Sequence, residues 1–114
     1  MREFYRLLVY VTPSGREPFG DWLDALDGSV RGKVMARVDR LMMGHPGHAK
    51  PLGGGLNELK LKNPAFRIYY SVVGMKIVLL LSAGDKSAQT EDIRKARAYL
   101  EEYRGRDASR KKDR

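Results

Sequence analysis

A chain of 114 residues with 42% hydrophobic and 32% charged side chains has the size and composition of one folded domain, and its lack of cysteine excludes disulfides, a thiolate nucleophile and a cysteine metal site. Its longest apolar run, Ile77 to Leu81, falls far short of the ~20 residues of a membrane span, and its first residues lack the layout of a signal peptide, so a cytoplasmic protein with no membrane partner is expected. The net charge of +8 points to an anionic partner, nucleic acid foremost, and it builds along the chain: seven Lys or Arg meet six Asp or Glu in residues 1–49, nine meet six in 50–103, and six meet two in 104–114.

Phe4 to Val11 is rich in aromatic and β-branched residues and stops at Thr12-Pro13-Ser14-Gly15, which predicts a strand and a turn. Pro18 suits the first turn of a helix, and Phe19, Trp22, Leu23 and Leu26 recur at helical spacing up to Asp27. Ser29 can cap a second helix carrying Val30, Val34, Val38, Leu41 and Met42, so that the two form an αα-hairpin ending at Gly44-His45-Pro46-Gly47.

The second half alternates with period two. Leu56 to Lys62 sets Leu59 and Leu61 against Glu58, Lys60 and Lys62, Phe66 to Val73 sets Phe66, Ile68 and Tyr70 against Arg67 and Tyr69, and within Lys76 to Ser82 the run Ile77 to Leu81 is apolar on both faces, as in a strand inside a sheet. After Gly84-Asp85-Lys86, Ser87 or Thr90 can cap a last helix whose stripe is Ile93, Ala96, Leu100 and Tyr103. The expected fold is α+β, ordered β-α-α-β-β-β-α, with a small, mainly antiparallel sheet in a single domain over residues 1–104. Residues 105–114, apolar only at Ala108, are expected to form a disordered basic tail.

Cations recur through the strand region: Lys50, Lys60, Lys62, Arg67, Lys86 and Lys95, with aromatic rings between them. Such a surface suits a phosphate chain. Gly53-Gly54-Gly55 lacks the Lys-Ser/Thr of a phosphate loop and reads as a connector. His45 and His48, three apart in a Gly/Pro loop, have no third ligand nearby in sequence, so no metal site is expected and both read as loop residues. Trp22 reads as core, whereas Met35, Met42 and Met43 can reach past the core toward a partner helix.

The segments Arg16-Glu-Pro-Phe-Gly-Asp-Trp-Leu23, Lys50-Pro-Leu-Gly53, Glu58-Leu-Lys60, Phe66-Arg-Ile-Tyr-Tyr70, Gly84-Asp-Lys-Ser87 with Gln89, and Asp92-Ile93 with Lys95-Ala96 resemble the RelE/ParE toxins of bacterial toxin-antitoxin modules, and within them the HigB-like addiction-module killer proteins. The resemblance spans about residues 4 to 103. It implies ribosome-dependent cleavage of messenger RNA, restrained by a small helix-turn-helix antitoxin, with no cofactor.

That chemistry needs no metal when the substrate's own 2′-hydroxyl attacks the adjacent phosphorus. The protein then supplies a base, cations for the phosphorane oxygens and an acid for the leaving oxygen. Arg67 offers a planar fork for two phosphate oxygens and is assigned transition-state stabilisation. Lys60 or Lys62 can serve as base if clustered cations lower its pKa from about 10.4 toward neutrality. Lys86 can neutralise phosphate or protonate the leaving oxygen, positioned by Asp85 or Gln89. Lys60, Arg67 and Lys86 are thus the catalytic candidates. Lys50, Lys62 and Lys95 are candidates for binding RNA, and Tyr69 for stacking on an unpaired base.

Duller readings stand beside these. Lys60 and Lys62 can be solvated strand charges, Arg67 can pair with Glu58 across the hairpin, and Asp85 can simply cap a helix. Two other functions also fit: a toxin of the same fold that binds DNA gyrase without catalysis, and a non-toxic basic RNA-binding module.

Overall fold

The computed structural model describes residues 4–112, and of residues 107–112 the backbone alone. The elements run β1 (Arg6–Val9), α1 (Pro18–Asp24), α2 (Gly28–Met42), β2 (Ala49–Gly53), β3 (Leu56–Lys60), β4 (Phe66–Val73), β5 (Ile77–Asp85), a short 3-10 turn (Lys86–Ala88) and α3 (Gln89–Lys112). They build one five-stranded sheet in the order β1-β5-β4-β3-β2, with β1 parallel to β5 and every other pairing antiparallel.

The α+β class and the antiparallel β3–β4–β5 meander are as expected. β2 lies outside the strands that the sequence pattern predicts, because Pro51 and the glycines that follow carry almost no strand propensity. Proline is tolerated on an edge, and β2 is one. Its hairpin with β3 turns through Gly53, Gly54 and Gly55, all at positive φ (93°, 65° and 87°), where a side chain would be strained.

β5 lies inside the sheet because its residues alternate between two cores. Val78 and Leu80 join Leu59, Leu61, Ile68 and Tyr70 beneath Phe19, Val34, Val38 and Leu41 of the helical hairpin. Leu79 and Leu81 join Tyr10, Leu56 and Tyr69 beneath Ala96 and Leu100 of α3. The sheet is therefore covered on both sides, and the face expected to carry Glu58, Lys60, Arg67 and Tyr69 into solvent is the one α3 lies across. Trp22 packs edge-on against Phe66, ring centroids 5.0 Å apart, as a core residue. Met35 and Met42 pack against the same core, while Met43 stays exposed.

The α2 cap lies two residues before the one expected, and of the residues considered at the start of the last helical segment Asp85 is the one that caps. Asp27, not Ser29, caps α2 by accepting from the Ser29 N–H, and Asp85 caps the 3-10 turn by accepting from the Ser87 N–H at 2.9 Å. Hydrogen bonds from the Ser87 hydroxyl and N–H hold the Asp85 carboxyl below the usual range.

α3 does not stop near Tyr103; it continues past Gly105 to Lys112. Arg106 anchors that extension, donating to the Val11 carbonyl at 2.6 Å and to Glu102 at 2.6 and 2.5 Å. Of the expected basic tail, residues 113 and 114 and the side chains from 107 onward lie outside the described residues. No helix among the described residues is long and apolar enough to cross a membrane.

Candidate functional site

Strand register explains which side chains meet. Lys60 pairs with Arg67 and Arg67 with Gly84, while the Lys60 N–H donates to the His48 carbonyl at 2.8 Å. One row thus crosses the sheet as His48, Lys60, Arg67, Gly84. The row beside it, on the same face, is Lys50, Glu58, Tyr69, Ser82. Where α3 begins, the sheet is left open beside Gln89, and His48, Ala49, Lys50, Glu58, Lys60, Arg67 and Gln89 line a pocket of about 260 Å³.

The floor of that pocket is charged and buried. Glu58 is 3% exposed and Arg67 7%. Their Nε to Oε2 distance is 3.7 Å, an ion pair but too long for a hydrogen bond, and Arg67 Nε has no acceptor within reach. Glu58 Oε2 instead accepts from the Gln89 amide at 2.9 Å. Carboxylate and amide are thus tied together, and the guanidinium stands against them with hydrogen-bonding capacity unspent.

Gly84 completes the row without a side chain. A Cβ there would lie 2.1 Å from Asp92 Oδ2, so the missing methyl is what admits the first turn of α3 so close to the sheet. Burial raises the pKa of the half-buried Asp92 carboxyl.

Of the expected site residues, Lys50, Lys60 and Arg67 come together in the pocket. Lys62, Lys86 and Lys95 do not line it: Lys62 lies past the end of β3, Lys86 in the 3-10 turn and Lys95 on the exposed side of α3. Tyr69 is fully buried under α3, so it offers no ring for a base to stack on. Its hydroxyl has no hydrogen-bond partner, and burial, followed by the nearby Glu58 charge, pushes the phenol well above its ordinary pKa.

Three lining residues read differently in the sequence alone: His48 as a loop residue, Glu58 as a surface partner of Arg67, and Gln89 as a support for Lys86. The signal for the first was β2 itself. Once that strand is recognised, His48 and Lys50 fall opposite Lys60 and Glu58. Among the described residues no group of three or more His, Asp or Glu side chains is arranged to hold a metal ion.

Comparisons with known proteins bear on the family and the fold. The family model described as phage derived protein Gp49-like matches residues 21–102. An uncharacterized protein of Haemophilus influenzae is 34% identical over 86 residues, which cover 74% of this chain and 87% of the relative. Among solved structures, a free-state mutant of the E. coli toxin RelE superposes with a TM-score of 0.57 at 18% identity, covering 81% of this chain and 93% of that one. The fold expected from the RelE/ParE resemblance is the fold found.

Proposed function

Because this chain belongs to the phage-derived Gp49-like family and shares the fold of the RelE toxin, we propose that it is the toxin of a toxin-antitoxin pair that cuts messenger RNA at the ribosome. The observation that carries this reading is Arg67, 7% exposed, with an unbonded Nε, on the floor of a pocket that also holds Lys50 and Lys60.

A buried guanidinium held against Glu58 is a preorganised donor for charge that develops on a phosphorane, and it needs no rearrangement when that charge appears. The flat fork of Arg67 holds two non-bridging oxygens and Lys60, its cross-strand neighbour, neutralises the same phosphate. Lys50, one strand further out and exposed, meets the phosphate chain as it enters. Glu58 and Gln89 brace the floor. The substrate's 2′-hydroxyl serves as nucleophile, leaving a cyclic phosphate and a 5′-hydroxyl, and the ribosome supplies orientation of the messenger, which lets so small a site suffice. A small helix-turn-helix antitoxin is the partner that restrains it.

The test is to induce the chain in a bacterial host and map RNA ends bearing 5′-hydroxyls against reading frames, with Arg67→Lys beside it. Frame-locked ends that appear with the wild type and vanish with Arg67→Lys support the reading. Growth arrest with intact messengers and broken DNA would replace it with gyrase inhibition.

A further inference from the structure

We propose that His48 is the general base of this site, an inference that rests on reading the pocket as an RNA-cleaving one. Four pocket residues carry groups that can accept a proton in some form: His48, Lys50, Glu58 and Lys60. Glu58 is spent on the floor, 3% exposed, with Oε2 accepting from Gln89 and facing Arg67. A lysine ammonium already holds the proton that a base must take. Imidazole is the side chain that presents a free ring nitrogen at neutral pH.

Its placement suits the task. The backbone of His48 is held by the Lys60 N–H at 2.8 Å, just before β2 begins at Ala49, and its side chain is exposed on the pocket wall. With neighbouring strands ~4.8 Å apart, the row His48, Lys60, Arg67 spans ~10 Å. That leaves room for one phosphodiester between the imidazole and the guanidinium, with the Lys60 ammonium at its middle.

The step balances. A ring nitrogen of His48 takes the proton of the 2′-hydroxyl as the 2′-oxygen bonds to phosphorus. The bond from phosphorus to the 5′-oxygen breaks, its electron pair leaves on that oxygen, and Lys60 protonates it. The imidazolium then returns its proton to the Lys60 amine through solvent, and the products are a 2′,3′-cyclic phosphate and a 5′-hydroxyl.

The charged groups around the ring are Lys50 of β2, two residues on, Glu58 and Lys60 from β3 and Arg67 from β4. Arg37 of α2 adds its charge through hydrogen bonds to the carbonyls of His45 and Pro46, and α3 brings only the neutral Gln89. Because the side chain of His48 is exposed and makes no hydrogen bond or ion pair among the described residues, and its carbonyl can still accept from the Lys60 N–H whatever the side chain, substitutions here leave the fold intact.

The experiment is single-turnover cleavage of a messenger on programmed ribosomes from about pH 5 to 8, with wild type, His48→Ala and His48→Gln, each first checked for folding by circular dichroism. The wild-type rate is expected to rise with pH along a limb of histidine type. His48→Ala and His48→Gln should lose about 10²- to 10⁴-fold in rate together with that limb, and added imidazole should restore cleavage to His48→Ala. Folded variants that cut within a few-fold of wild type, with the limb unchanged, overturn the base assignment alone. A wild-type chain that cuts no ribosomal messenger overturns the reading of the pocket and the assignment with it.

Discussion

Glu58 Oε2 and Arg67 Nε face each other across two adjacent strands at 3.7 Å, both side chains more than nine-tenths buried, and the Gln89 amide takes the hydrogen bond that the guanidinium does not. Each ion is therefore the main compensation for the other's burial. Glu58→Gln should lower unfolding free energy by about 3 kcal/mol, because a buried guanidinium is left without a counter-charge. The double variant Glu58→Gln/Arg67→Met should recover most of that loss in urea titrations while remaining inactive. A Glu58→Gln protein as stable as wild type would show that water, not the carboxylate, satisfies the arginine.

Arg67→Lys keeps the charge and loses the planar fork. Messenger cleavage should fall by about 10²-fold or more, measured as 5′-hydroxyl ends formed per unit time, with melting temperature nearly unchanged. Lys60→Ala should cost activity of the same order. Lys86→Ala, outside the pocket, should cost far less, and equal losses from both would move the site toward the start of α3.

Tyr69→Phe separates core from contact. The hydroxyl is buried without a partner, so its removal should leave stability the same or up to about 1 kcal/mol higher, and cleavage unaffected. Tyr69→Ala should instead cost about 3–5 kcal/mol in cavity formation under α3.

Much of this molecule can be read from its residues. Two-period alternation in Leu56–Lys60 and Phe66–Val73 places Lys60 and Arg67 on a common face, and the double-sided apolar run of β5 puts it inside the sheet. The same alternation hides what covers that face. Tyr69 and Lys60 look alike in a strand pattern, yet one lies under α3 and the other beyond its start, which depends on where a helix 20 or more residues later in sequence comes to rest. Long-range coverage of that kind leaves no local signature. Nor did β2, whose membership in the sheet comes from backbone pairing with β3 against the propensity of Pro51.

Alkaline pH offers a test of the α3 packing. The Tyr10 hydroxyl donates to Glu102 at 2.6 Å, and burial, reinforced by that bond, raises its pKa from 10.0 to about 12. A folded-state value above the unfolded one means a contribution that is whole below pH 10.0 and disappears as pH climbs through about 12. Urea midpoints should thus fall over that interval, and Tyr10→Phe should flatten the fall. An unchanged slope in Tyr10→Phe would assign the titration to other groups.

Truncation probes the end of α3. A chain ending at residue 106 retains the bonds of Arg106 to Val11 and Glu102 and should melt within a degree or two of the full chain. One ending at residue 104 loses them, and about 1–2 kcal/mol with them. Differential scanning of the two proteins distinguishes these outcomes, and equal melting points would show that Arg106 anchors nothing.

The two margins of the sheet are unlike. On the β2 side, Pro51 has no amide hydrogen to offer and the register slips between Pro51 and Gly53, so an incoming chain meets no unbroken ladder there. On the β1 side, Leu7 and Leu8 stand open beside backbone that pairs on one flank only. Any polypeptide that extends this sheet must do so next to β1, four strands away from the mouth formed by His48 and Lys50, so that lengthening the sheet and admitting a polyanion are physically separate events.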